Sequence, residues 1–149
     1  MSPRLDELLA RGALAFIDVA LAKRLVRIAG EDDDDVMLAV ALVSRAVRAG
    51  HVCLKLDEQS ASLLRNEREE LIEDIVLPSW EEWTAALNKS ALVGGPGQHT
   101  PLLLDDAGRL YLRRYASYER RLAEGMMARI ADIREVDEGL LAGGLERLF

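Results

Sequence analysis

TPLLLDDAGRLYLRRYASYE, residues 100–119, is the stretch around which this 149-residue chain is organised. In an extended segment, Leu102 and Leu104 would lie on one side and their neighbours on the other. A strand pattern resumes at residues 110–112. Between them, DDAG at 105–108 supplies turn chemistry, because aspartate and glycine favour the backbone conformations of tight turns. The stretch therefore predicts a β-hairpin.

A helix is predicted directly after the hairpin, because apolar residues recur there at steps of three and four, the spacing of one helix face. These residues are Tyr115, Tyr118, Leu122, Met126, Ile130 and Ile133. A hairpin and one helix are too small to bury both of their apolar faces. The helical segments before them must therefore supply the rest of the core.

Three helices are predicted before residue 50. Ser2 is suited to cap the first and Pro3 to start it, and Leu5, Leu8 and Leu9 mark its apolar side. The second runs from about 14 to 29 and ends at Gly30. Its apolar face is predicted to carry Ile17, Leu21, Leu25 and Ile28. The third, at 36–49, is apolar almost all round, which predicts the central helix of the fold.

Two further helical segments are predicted between residues 57 and 90. The first, at 57–77, is highly charged and ends at Pro78. After it, Ser79 and Glu82 have the spacing of a capping box, which predicts a helix that starts at Trp80.

The fold class predicted from these elements is mainly α, within the α+β class. The apolar segment at 91–93 predicts a strand beside the hairpin, and 51–54 is consistent with a short extended entry. We therefore expect a helical bundle with a small antiparallel sheet of two or three strands, including a hairpin near 102–113.

Length and composition limit the classes of protein to which the chain can belong. Its length suits about one domain, and its net charge of −7 disfavours a free-standing nucleic-acid binder. Cys53 is the only cysteine, so no intrachain disulfide can form. We find no signal-peptide pattern and no run of the ~18 apolar residues that a membrane helix needs. The sequence predicts a cytoplasmic protein without a membrane partner.

Four sequence features suggest a metal-binding, phosphate-binding or reactive site, but a structural role explains each of them better. The acidic run at 31–35 could bind a hard cation, but it lacks the glycine and terminal glutamate of a calcium loop, so helix capping is predicted. His51 and Cys53 would share one side of a strand, but two ligands do not make a metal site, so packing is predicted for both. The other two features are a glycine-rich loop and a group of arginines.

The loop GGPGQHT at 94–100 lacks the Gly-Lys-Ser/Thr ending of a phosphate loop, so a flexible connection is predicted. The basic concentration consists of Arg113, Arg114, Arg120, Arg121 and Arg129. Nearby acidic residues dilute it, which favours a solvated helix face. We assign no catalytic, cofactor-binding or metal-binding residues from the sequence.

Several stretches together resemble the N-terminal region of the RecD family, the alpha subunits of exodeoxyribonuclease V. They are PLLLD, GRLYLRRY and YE within 101–119, GHVCLKL at 50–56, and W..AL..SALVG at 83–94. The resemblance runs from about Leu14 to Ile130. Its motifs are structural rather than catalytic, so they indicate a domain and not a reaction.

The resemblance implies a non-catalytic scaffold domain at 1–134 and, at 135–149, a connector toward a motor domain that this sequence does not contain. In that family the N-terminal domain packs on a RecC-like subunit, and RecB-like subunits complete the DNA-repair complex. The motor is an ATP-dependent 5′–3′ helicase, so ATP and magnesium are expected there and no cofactor in this segment. DNA is expected to be bound only through the full complex.

Five residues are predicted to be exposed anchors for the partner subunit, because apolar and tryptophan side chains dominate interface energies. They are Leu5, Leu8, Leu9, Trp80 and Trp83. Two alternatives remain open. One is a stand-alone nucleic-acid binder of winged-helix type, since helices, a hairpin and a basic helix suit that architecture. The other is a helical oligomerisation module.

Overall fold

The computed structural model describes residues 2–56, 64–66, 68, 70–72, 75–132 and 137–148. In chain order its elements are α1 (Pro3–Ala10), α2 (Phe16–Ala29), α3 (Asp34–Arg48), β1 (Leu54–Lys55), α4 (Trp80–Lys89), β2 (Val93–Gly94), β3 (Leu102–Leu104), β4 (Arg109–Leu112), α5 (Arg113–Ala131) and α6 (Glu138–Leu148). They form two compact units, Met1–Tyr118 and Glu119–Phe149. The predicted α+β class with mostly helical content is confirmed.

The first unit is built around α3, as predicted. Asp33 caps this helix by accepting hydrogen bonds from the backbone N–H groups of Asp35 and Val36, at 2.9 and 3.1 Å. Eight α3 side chains are buried, and α1, α2, α4, β1 and β4 all pack against the helix. The capping interpretation of the acidic run is therefore confirmed, because Asp33 satisfies free amides at the start of α3.

The buried side of α2 differs from the prediction. Val19, Ala22 and Val26 face the core. Of the predicted face, Leu21 and Leu25 are partly buried and pack against the core, whereas Ile17 and Ile28 are 62% and 67% exposed. Both rows of this helix are apolar, so helical periodicity alone does not select between them. The structure selects the row that includes Asp18, which is buried with its carboxylate fully hydrogen-bonded, as described below.

Within the part of the chain that the structure describes, the sheet has four strands in the order β1-β4-β3-β2. The predicted hairpin is confirmed, with Leu102 opposite Leu112 and Leu104 opposite Leu110. The expectation of two or three antiparallel strands was wrong in two details: β1 adds a fourth strand by pairing with β4, and β2 runs parallel to β3. Both pairings join strands that are distant in sequence or separated by a loop, so local patterns do not show them.

The helix α4 begins with the predicted capping box. The hydroxyl of Ser79 accepts from the N–H of Glu82, and the Glu82 carboxylate accepts from the N–H of Ser79. The pKa of the Glu82 carboxyl is lowered, first by the hydrogen bond from the Ser79 backbone N–H and then by a hydrogen bond from the Ser79 side chain. The helix buries Trp83 and Leu87 against the core.

The segment at 57–77 was predicted to be helical, but its described residues are not. Arg65 and Leu71 form an isolated antiparallel bridge, and the Asn66 side chain closes the turn by accepting from the N–H groups of Arg68 and Glu70. Local hydrogen bonds of asparagine compete with helix formation in this way. Leu64, Ile72 and Ile75 still contribute to the core; residues 57–63 lie outside the described part.

The second unit contains most of α5 and all of α6, and neither helix has a buried residue among those described. The predicted helix after the hairpin is confirmed, but its expected core face is not, since Leu122, Met126 and Ile130 are exposed and Ile133 is not described. The predicted boundary at 134/135 also lies outside the described residues. In the described part of the chain, no helix has both the length and the apolar content that a membrane span requires.

Candidate functional site

The five residues predicted as exposed anchors lie mainly in the core of the first unit. Leu5 and Leu8 are completely buried and Trp83 is 2% exposed, while Leu9 and Trp80 are partly buried and pack against the same core. The expectation of exposure is therefore wrong for the first three, because α1 packs against α2 and α3, and α4 packs against α3. A contact between these residues and a partner stays a prediction.

The side of α2 that faces solvent is the first candidate surface, which we call the outer face of α2. Its members are all exposed and lie within about one third of the helix circumference at 100° per residue. They are Phe16, Ile17, Ala20, Arg24, Arg27 and Ile28. The sequence contained this signal, since two apolar rows on one helix leave one of them exposed if the other forms the core.

Of the basic side chains on or beside the outer face of α2, one has an acidic partner among the described residues and two do not. Lys23, at its border, forms an ion pair with Asp6 at 3.0 Å. The guanidinium groups of Arg24 and Arg27 form no hydrogen bond or ion pair with any residue that the structure describes. The only carboxylate of the helix, Asp18, is buried on the opposite side. The outer face of α2 is thus both apolar and cationic.

The buried Asp18 is used for structure rather than chemistry. Its carboxylate accepts hydrogen bonds from the Ser44 hydroxyl at 2.7 Å, the Arg48 guanidinium at 3.1 Å and the backbone N–H of Ala15 at 2.9 Å. These contacts join the start of α2 to α3. All hydrogen-bond partners of this buried carboxylate are present, so its burial is compensated. Asp18 therefore fixes the position of α2 relative to α3.

The second candidate surface lies in the second unit, and we call it the aliphatic stripe of α5. It consists of Leu122, Met126 and Ile130, which are 65%, 57% and 70% exposed and recur every fourth residue. In α6 of the same unit the exposed apolar residues are Leu140, Leu141, Leu145 and Leu148. Contiguous exposed apolar side chains of this size usually mark a surface that a partner covers.

The histidine, cysteine and carboxylate groups that the structure describes do not come together as a metal site. Within the described residues, no cluster of three or more such side chains is placed to bind a metal ion. His51 is exposed, so its predicted packing is wrong, and Cys53 is partly buried. Glu31 of the acidic run accepts hydrogen bonds from the Ser90 hydroxyl and the Ala91 N–H, both at 2.7 Å.

The glycine-rich loop is held by an arginine that the sequence did not single out for this role. The Arg113 guanidinium donates to the Thr100 hydroxyl at 2.6 Å and carbonyl at 3.0 Å, and to the Gly95 carbonyl at 3.2 Å. The loop is thus tied to the first turn of α5, not a free connection. One of the five basic residues expected to form a solvated face has this internal role instead.

The hairpin turn contains an ion pair between Asp105 and Arg109. Asp105 accepts from the guanidinium of Arg109 at 2.7 Å and from its N–H at 2.9 Å. Burial opposes ionisation of Asp105, but the hydrogen bonds from Arg109 outweigh it and lower the pKa of the carboxyl. The same contact raises the pKa of Arg109. This pair stabilises the turn, and its position gives it no evident chemical role.

A family model described as the N-terminal domain of the RecBCD enzyme subunit RecD matches residues 10–111, which includes α2, α3, α4 and most of the sheet. The chain belongs to this family. The chain is similar to the RecBCD enzyme subunit RecD of Mycobacterium tuberculosis (strain ATCC 25618 / H37Rv), to which it is 37% identical over 124 residues, 83% of this chain and 20% of the relative.

A second relative, the RecBCD enzyme subunit RecD of Mycolicibacterium smegmatis, is 35% identical over 114 residues, which cover 76% of this chain and 19% of the relative. The chain therefore spans about a fifth of the length of these curated relatives. The family membership predicted from the hairpin and the two upstream segments is confirmed.

Proposed function

We propose that this chain is the non-catalytic docking domain of a RecD-like subunit. In this account it joins an ATP-dependent 5′–3′ helicase motor, carried by the same subunit, to a RecC-like partner in a complex that processes DNA double-strand breaks. Membership of the RecD N-terminal family supports the proposal, as do relatives whose names make them subunits of the RecBCD enzyme.

The exposure of the aliphatic stripe of α5 is the observation that best supports the docking role. Leu122, Met126 and Ile130 repeat along one side of a helix and are more than half exposed. Covering them in a protein interface removes apolar area from water, which is the main favourable term in association. We assign the RecC-like subunit as the occupant because the relatives are named as parts of a multisubunit enzyme.

A binding experiment with the RecC-like subunit tests this function. The 149-residue chain should form a one-to-one complex with it in analytical ultracentrifugation. L122Q/M126Q should weaken the complex by about tenfold or more, because it removes two aliphatic anchors without altering helix propensity greatly. R121Q/A128Q on the opposite side of α5 is the matched control and should bind like the wild type.

Two outcomes would count against the docking function. The first is a chain that sediments alone at every concentration of the RecC-like subunit. The second is tight, steeply salt-dependent binding of the isolated chain to duplex DNA, the behaviour of a protein that neutralises many phosphates. That result would favour the stand-alone nucleic-acid binder, and a stable self-dimer would favour the oligomerisation module.

A further inference from the structure

The outer face of α2 belongs to the first unit and shares no residue with the aliphatic stripe of α5. We propose that it binds a protein surface on which two carboxylates, about one helical turn apart, lie beside aliphatic side chains. This partner chemistry does not depend on which subunit supplies it, so the inference stands or fails separately from the proposed function.

The apolar part of this surface is large for one side of a single helix. Phe16, Ile17 and Ile28 are 78%, 62% and 67% exposed. They lie at the two ends of α2, about 18 Å apart at 1.5 Å per residue. Single exposed apolar residues are common, but three large ones at the two ends of one helix face favour contact with other apolar side chains.

The charged part lies between these apolar ends. Arg24 and Arg27 are three residues apart, so their side chains project from neighbouring turns of the same face. Arginine binds carboxylates through two parallel hydrogen bonds, which makes it suited to a protein interface. Glu31, the nearest described carboxylate after the helix, already accepts bonds from Ser90 and Ala91 and so does not replace an external partner.

The charge pattern also distinguishes between possible occupants. A second copy in a symmetric pair would place four guanidiniums in one interface, because the same patch faces itself and contains no carboxylate. Nucleic acid would leave the three apolar side chains against phosphates, and a chain of net charge −7 repels the rest of the duplex. An acidic, aliphatic protein surface satisfies both the charge and the apolar area.

The test uses two synthetic amphipathic helical peptides with the same leucine stripe. One carries glutamates at three-residue spacing beside the stripe, and the other carries lysines at those positions. Fluorescence anisotropy with the 149-residue chain should show the glutamate peptide binding at least about tenfold more tightly, and more weakly as salt rises. The net charge of −7 alone would produce the opposite preference, so this result is specific to a local site.

Two variants and one control locate the site. R24E/R27E should abolish the preference for the glutamate peptide, and I17Q/I28Q should weaken binding of both peptides. R68E/R121E changes the net charge by the same amount at exposed arginines elsewhere and should retain the preference. Circular dichroism should show unchanged helix content in all three, because every substituted side chain is exposed.

Three results would overturn the inference. One is equal binding of the glutamate peptide by wild type and R24E/R27E. Another is duplex DNA binding that R24E/R27E removes, which would make the outer face of α2 a phosphate site. The third is a wild-type dimer that I17Q/I28Q converts to a monomer, which would make it a self-interface. Loss of the RecC-like complex in L122Q/M126Q alone would leave the inference intact.

Discussion

Gly108, in the hairpin turn, lies so close to Trp80 of α4 that a Cβ atom on Gly108 would be 2.9 Å from Cη2 of the indole ring. Gly108 also has a backbone φ of +73°, a conformation that residues with a side chain rarely adopt. The turn of the hairpin and the first residue of α4 are therefore fitted to one another, which couples the sheet to the helices.

G108A should lower the free energy of unfolding by about 2–4 kcal/mol, because it combines backbone strain with a collision against the ring. The matched control is G30A, where φ is +70° but no atom lies within 4 Å, so only the strain of about 1 kcal/mol applies. Urea denaturation measures both. Equal losses in the two variants would show that the contact with Trp80 is unimportant.

Trp83 should behave as a core residue. W83A should lower the free energy of unfolding by about 3–5 kcal/mol, because the side chain is 2% exposed and its removal leaves a large cavity. W80A should cost less, since Trp80 is only partly buried. Thermal and urea unfolding test this directly. A W83A protein with unchanged stability but weaker assembly would restore the sequence-based interpretation of Trp83 as an exposed anchor.

Asp18 should be important for stability although it is charged. D18A should reduce the free energy of unfolding by about 2–4 kcal/mol, because the hydroxyl of Ser44, the guanidinium of Arg48 and an amide lose their acceptor. S44A removes one of these bonds and should cost about 1 kcal/mol. Denaturant titration of both variants would contradict this account if the order of the two losses were reversed.

The ion pair between Asp105 and Arg109 should make the hairpin sensitive to acid. The folded state lowers the pKa of Asp105 below its ordinary value of 3.8, so the stabilisation is fully present above that pH and is lost as pH falls through the lowered pKa. D105A should therefore be less stable than wild type by about 1–2 kcal/mol at neutral pH.

At a pH well below the lowered pKa of Asp105, the wild type and D105A should approach the same free energy of unfolding. Urea titrations of both proteins over a series of pH values provide the comparison. A stability difference that stays constant down to strong acid would show that the carboxylate charge contributes nothing to the turn.

The sequence predicted the elements whose signals are local. The turn residues at 105–108, the capping box of Ser79 with Glu82, and Asp33 before α3 each specify hydrogen bonds within a few residues, and all three are found. The family resemblance rested on the hairpin and two short upstream segments, and the match over 10–111 agrees with it.

The errors arose where two arrangements satisfy the same pattern. Both rows of α2 are apolar, and only packing against α3, with Asp18 bonded to Ser44 and Arg48, makes one of them the inner row. The pairing of β1 with β4 joins residues more than fifty positions apart, which no local window can show. The exposed candidate surfaces were missed for the same reason: an apolar row was equated with a buried one.

The most direct test of the docking role is sedimentation of the purified 149-residue chain with the RecC-like subunit, with ATP hydrolysis measured on the same sample of the chain alone. The account predicts a one-to-one complex that L122Q/M126Q disrupts, and no ATP turnover by the chain alone. Independent sedimentation of the two proteins, or ATP turnover that the wild-type chain sustains without a partner, would contradict it.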